Sequence, residues 1–324
     1  MYEHSPQPLP ASPFAEDAES AELGAEELAE GWLPIREVAR QTGVNPVTLR
    51  AWERRYGLIV PQRTAKGHRL YGQAHVERIQ AILTWLNRGV AVSQIRALLD
   101  HDEPPAGSAD GPWESLRSEL LEAVTTLAER RLDDAYNRAL ALYPPQPLCR
   151  HLLLPLLDEL EQRWQGQFGA ALERVFLRSW LRSRLGARVY HNNRQLQGAP
   201  VLLANLSELP MEPGLWLCAW LLSDSLCPVE VLDWTLPPGE LNLAVERLQP
   251  RAVLLYSSQA LDSVQLRRQL PRLHAGCAAP LLLAGPAAQI HRDELAALER
   301  LTLADSPLDA QQFLHQCGLL AAAP

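Results

Sequence analysis

Eight side chains early in the sequence are of the types that grip nucleic acid, and they form two clusters. Asn45, Thr48, Arg50 and Arg54 lie within ten residues, and Arg63, Lys66, His68 and Arg69 within seven. Cationic groups displace counterions from phosphates. Arginine and asparagine also match the edges of guanine and adenine in the major groove. A merely solvated basic surface uses the same residues, so the reading depends on the elements that carry them.

Ile35–Arg40 reads as a short amphipathic helix with Ile35, Val38 and Ala39 inward. Thr42, Gly43 and Val44 make a turn in which Gly43 can adopt the left-handed conformation. Asn45 is suited to cap the next helix and Pro46 to open it. That helix runs from Val47 to about Arg55, with Leu49 and Trp52 inward and Thr48, Arg50, Ala51 and Arg54 outward. Two extended arms then flank Lys66-Gly67 within 61–71, a hairpin signal. Gln73–Arg88 forms a third helix burying Val76, Ile79, Ile82, Leu83 and Leu86, and Ser93 caps a fourth that ends near Leu99. Arg50 suits either a DNA contact or a structural ion pair. Tyr56 and Tyr71 each suit packing or a hydroxyl contact to phosphate. Arg78, Arg88 and Arg96 read as solvated surface.

Charge singles out the same region. The whole chain carries −8, yet residues 32–100 hold eleven Lys/Arg against four Asp/Glu. Residues 1–30 hold eight carboxylates and no Lys or Arg, and 101–324 hold nineteen cations against twenty-six acids. A basic island in an acidic chain is the footprint of a nucleic-acid binder.

The organisation predicted is multidomain. Residues 1–31 form a disordered acidic arm and 32–100 a winged helix-turn-helix. A Pro/Gly-rich linker spans 101–112. A helical bundle follows over 113–195, with helices near 113–130, 132–142, 147–164 and 170–191. Residues 196–324 alternate strand and helix five times, which implies an α/β flavodoxin-like parallel sheet. The strands fall at 201–204, 229–234, 252–256, 281–284 and 301–303.

No apolar run approaches the ~18 residues of a membrane span, and the N-terminus lacks the basic start of a secretory signal. Five scattered cysteines without a CxxC suggest free thiols in a reducing cytoplasm. There is no P-loop, zinc motif or nucleophile–base pair, and His151, His191, His274, His291 and His315 have no metal spacing. The sequence points away from an enzyme. The acidic pair Asp133-Asp134 reads as a solvated helix surface.

The string NPVTLRAWERRYGL, followed by PQRT and GHRLY, closely resembles the DNA-binding domain of the MerR family, in its MlrA/CarH-like branch. The resemblance implies a homodimer on a pseudo-palindromic promoter, and control of transcription by bending and untwisting DNA between promoter elements. It also implies base or phosphate contacts from Asn45, Thr48, Arg50 and Arg54 and wing contacts from Arg63, Lys66, His68 and Arg69. Many relatives have Tyr where His68 stands. Pro104-Pro105 interrupts the coiled coil that many members use to dimerise.

The bundle followed by an α/β domain resembles the cobalamin-gripping half of that branch. There, an acidic-x-His-x-x-Gly loop supplies a histidine to cobalt; here the loop reads Leu209-Pro210-Met211-Glu212-Pro213-Gly214, with Met211 at the histidine place. The family's upper-face Trp and Glu-His pair correspond to Trp164 and Glu173-Arg174, one residue closer and with Arg for His. The family Gly-Gly after the fourth strand is Ala284-Gly285-Pro286. Ser257-Ser258 partly matches a family serine. These departures lead us to expect no cofactor, and a C-terminal half that senses another ligand or binds a regulatory protein, with RNA polymerase a further partner. The alternative is a cobalamin-dependent, light-responsive regulator with altered axial ligation. Trp216 and Trp220, one turn apart, suit packing or a replacement pocket.

Overall fold

The computed structural model describes residues 31–64, 66–100 and 111–320. The acidic arm and most of the linker lie outside them. The N-terminal unit begins with a two-residue strand, β1 (Leu33–Pro34), then α1 (Ile35–Thr42) and α2 (Pro46–Ala51), which runs on into a π turn at Trp52–Tyr56. Strands β2 (Gln62–Arg63) and β3 (Arg69–Tyr71) form the expected hairpin, and β1 adds to it in the order β1-β3-β2. Helices α3 (Gln73–Asn87) and α4 (Val92–Asp100) complete the unit.

Four bundle segments follow: α5 (Gly111–Thr125), α6 (Glu129–Leu142), the broken pair α7 (Pro145–Leu148) and α8 (Leu154–Arg163) joined by a π turn at Cys149–Leu153, and α9 (Ala170–Asn193). The expected linker is thus two residues too long, because Gly111 and Pro112 already belong to α5. The first bundle helix stops short of residue 130, since Leu127 turns the chain with a left-handed φ of 52°. Asp133 is no solvated acid: it accepts hydrogen bonds from the Trp180 indole and from Arg184.

The last unit is a parallel sheet of β4 (Val201–Asn205), β5 (Val229–Leu232), β6 (Ala252–Tyr256), β7 (Leu281–Ala284) and β8 (Leu301–Ala304), ordered β5-β4-β6-β7-β8. This is the flavodoxin-like order expected from the alternation. Its helices are α10 (Pro213–Asp224), α11 (Pro238–Leu248), α12 (Leu270–Gly276), α13 (Pro286–Ile290), α14 (Arg292–Leu295) and α15 (Pro307–Gln316). A period of two splits the strands between two cores. Leu202, Ala204, Val253 and Leu283 face one cluster, while Val201, Leu203, Leu254 and Tyr256 face another that continues through α10 and the bundle into the N-terminal unit.

That continuity fixes how the first two units meet. The Trp52 indole donates to the Leu142 carbonyl at 2.8 Å. The Trp113 indole donates to the Gly89 carbonyl at 2.7 Å, and His151 Nε2 lies 3.0 Å from the Asn87 carbonyl. Gly89 has a φ of 92°. A methyl group there would come within 3.2 Å of the His151 ring, so the turn between α3 and α4 fits closely against the bundle.

Candidate nucleic-acid interface

The helix-turn-helix is built as the residues demand. Gly43 closes α1 in the left-handed conformation, with a φ of 68°. The Asn45 side chain accepts from the Val47 amide at 2.8 Å, and Pro46 opens α2. Asn45 is exposed but already employed as a cap, a role that costs about 1 kcal/mol to lose. Leu49 and Trp52 are fully buried, as expected.

The outward face is narrower than expected. Thr48 and Ala51 are only 3% and 6% exposed, because α6 packs against that flank of α2. Thr48 is therefore corrected: in this arrangement it lies within the joint between the units, out of reach of a base. Val47 and Arg54 remain exposed and Arg50 half-buried, leaving a face 47/50/54.

Glu53, which the sequence reading passed over, organises the wing. Its carboxylate accepts from Arg69 Nε at 2.6 Å and from Arg63 at 3.0 Å. One acid on the π turn after α2 thus holds guanidinium groups from both strands of the hairpin beside the recognition helix. The spacing of a carboxylate facing two later cations carried that signal, but only once the hairpin was folded back. The hairpin turn is closed by the Gly67 amide donating to the Thr64 carbonyl at 2.9 Å, with Gly67 at a φ of 89°. Lys66 is exposed at its tip and His68 half-buried.

One open question, Tyr71, resolves in favour of packing, and one surface reading, Arg78, is overturned. Tyr71 is 1% exposed, and burial pushes its hydroxyl up to about 12. It packs, and offers nothing to phosphate. Arg78 is corrected from solvated surface: it donates to the Leu58 carbonyl at 2.6 Å and to Asp100 at 3.0 Å, tying α3 to the chain after α2 and to α4.

At the other end of the molecule, the positions matching a cofactor site fall into two groups, one in the bundle and one at the end of the sheet. The Trp164 indole donates to Glu173 at 2.9 Å, and the Arg174 guanidinium lies 5.0 Å above the Trp164 ring. Met211 is buried at 4% exposure. Glu212 is buried and accepts from the amide and hydroxyl of Ser258 at 2.9 and 2.8 Å. Tyr256 fills the space above Gly214 and Gly285. Trp220 is buried, and Trp216 packs 3.6 Å from where a Gly186 methyl would stand. Among the described residues, no group of three His, Cys, Asp or Glu could hold a metal ion. No helix among them is long and apolar enough to cross a membrane.

Residues 33–102 match the model of the MerR HTH family regulatory proteins, and residues 116–188 match that of the B12 binding domain. The HTH-type transcriptional regulator MlrA of Escherichia coli is 32% identical over 241 residues, which cover 71% of this chain and 90% of MlrA. The chain belongs to the MerR family of transcriptional regulators. The transcriptional repressor CarH of Myxococcus xanthus is 28% identical over 85% of this chain and 95% of its own length. The class of this MerR-family chain is therefore a DNA-binding regulator of transcription rather than an enzyme, with a B12-binding-type domain behind the reader.

Proposed function

We propose that the chain binds double-stranded promoter DNA as a homodimer and controls transcription by distorting the DNA between promoter elements. Arg50 and Arg54 enter the major groove, while Arg63, Lys66, His68 and Arg69 hold the flanking backbone or minor groove, and Asn45 seats the helix. The observation that carries this reading is Glu53: one carboxylate keeps Arg63 and Arg69 alongside the exposed face of α2, so that helix and wing present their cations together. It acts in the cytoplasm, with RNA polymerase on the same promoter. Genome-wide mapping of bound sites, followed by footprinting of one site with purified protein, tests it. A pseudo-palindromic footprint with a hyper-reactive centre is expected; binding that ignores sequence overturns it.

The C-terminal half, on our reading, answers to a protein partner or another ligand and has lost cobalamin. The residues present do not fit that group. The buried thioether of Met211 would stand in for the histidine that the resemblance assigns to cobalt, and a thioether is a weaker, softer ligand than imidazole. Trp164 is bonded to Glu173, Arg174 lies over the Trp164 ring and donates to Glu161, and a tyrosine occupies the space over both glycines. The match of residues 116–188 to a B12 binding domain favours the alternative, a cobalamin-dependent regulator with altered axial ligation. Mixing the protein with adenosylcobalamin in the dark and gel-filtering decides between them. Protein eluting without a corrin band is expected, and a retained band establishes the alternative.

A further inference from the structure

Gly214 opens α10 and Gly285 follows β7, seventy-one residues later, yet both bare backbones face one side chain. A methyl group on Gly214 would stand 1.8 Å from the Tyr256 hydroxyl oxygen and 2.1 Å from its Cζ. A methyl on Gly285 would stand 2.8 Å from the same Cζ and 2.9 Å from the Ser257 carbonyl oxygen. Gly285 needs to be glycine for its φ of 92° alone. Gly214 has no such backbone demand, so what it supplies is room. A glycine in a helix costs conformational entropy, and here the room it makes is taken by a phenol ring. Tyr256 ends β6, paired in register with Asn205 of β4 and Ala284 of β7. The ring is 6% exposed. Its hydroxyl makes no hydrogen bond among the described residues, and burial raises it far above the ordinary tyrosine range. The ring is thus held by shape and not by its polar end.

We propose that the carboxyl end of the sheet keeps a phenol-sized ligand slot, floored by Gly214 and Gly285, and that Tyr256 is its resident occupant. The slot is a binding site for a planar aromatic group, filled from within the chain. This rests on the reading that cobalamin is not bound, since a cofactor tail approaching over Gly214 and Gly285 would need the space that the tyrosine ring fills. It goes further, because it names the competitor and predicts that the site reappears when the ring is removed. Apolar cavities left by a missing side chain stay dry and accept small aromatics.

The test uses the full chain with p-cresol, the side chain of tyrosine as a free molecule. Tyr256→Ala binds p-cresol at least about tenfold more tightly than the wild type, a difference that shows as a p-cresol-dependent rise in Tm in the variant alone. Tyr256→Phe keeps the wild-type Tm and gains no p-cresol binding. Should Tyr256→Ala fold poorly, Gly214→Ala supplies a second measurement: its methyl lowers Tm in the wild-type background and lowers it much less beside Tyr256→Leu, because the shorter side chain leaves room. Failure of p-cresol to distinguish Tyr256→Ala from wild type, or additive effects of the Gly214 and Tyr256 changes, overturns the slot. Those outcomes leave the cobalamin reading standing. A corrin band on the wild-type protein overturns both.

Discussion

The two ends of this chain treat their polar residues in opposite ways. In the reader, Arg54 and Lys66 face solvent, Arg50 and His68 lie half-exposed, and an acid beside the wing, Glu53, accepts from Arg63 and Arg69. In the bundle and at the end of the α/β sheet, polar groups pair with each other: Trp164 with Glu173, Glu212 with Ser258, Asn205 with Ser207. On the proposed reading, the first arrangement keeps its cations at the surface for DNA. The second spends its recognition internally, and the remaining space is filled by Tyr256. The difference teaches how to separate a working site from a matched sequence motif. What counts is how far the donors and acceptors stay exposed once the fold has formed.

The sharpest way to break the comparison is Trp52→Ala. Trp52 is fully buried between the reader and the bundle, and removing an indole from such a core costs about 3–5 kcal/mol. Chemical denaturation is expected to show that loss, with promoter binding falling as the reader loosens. Next in size are Arg50→Ala and Arg69→Ala, each expected to weaken specific binding by about 1–3 kcal/mol if the contact reads a base edge. Anisotropy titrations at one fixed salt check this, and unchanged affinity in both removes the assignment of the reading face.

Glu53→Gln comes third. It halves the acceptor capacity that holds Arg63 and Arg69, and losing such charge-assisted bonds at a partly exposed site costs about 1 kcal/mol. Specific binding is expected to fall modestly while non-specific binding rises, because the wing gains a net charge. Competition with random-sequence DNA measures the ratio. If both change in the same direction, Glu53 is a structural acid and not an aligner of the wing.

The last prediction is read against pH and concerns Asp224, half-buried at the end of α10. Burial raises its carboxyl from 3.8 to about 7, against a lesser opposing pull from Arg188. The native state therefore holds a proton that the unfolded chain gives up between those values. Stability is expected to be highest below pH 4 as far as this group is concerned, and to fall as pH rises through 7. Asp224→Asn removes that fall and stabilises the protein at pH 8 more than at pH 5, as seen by Tm against pH.

Much of this was legible in sequence, and the reasons differ by element. The strands over 252–256 and 281–284 end where expected, because buried parallel strands are short uniform apolar runs bounded by turns. The cap at Asn45 and the turn at Gly43 follow from local chemistry alone. The π turns at Trp52 and Cys149 do not, since widening a helix by one residue leaves no mark on composition. Strand β1 is two residues long and owes its existence to pairing with β3. Thr48 fits an outward position by periodicity, and only the distant α6 makes it inward. Tyr256 reads as one more aromatic at a strand end until Gly214 and Gly285 are brought under it from elsewhere in the chain.

The indole of Trp52 reaching the Leu142 carbonyl bears on how such regulators can be recombined. The natural place to cut the chain is the Pro/Gly-rich stretch after α4, and a transplant made there would carry the recognition helix without the surface on which it rests. The true seam between modules runs through the end of α6, so a grafted reader keeps its aim only if that helix end travels with it.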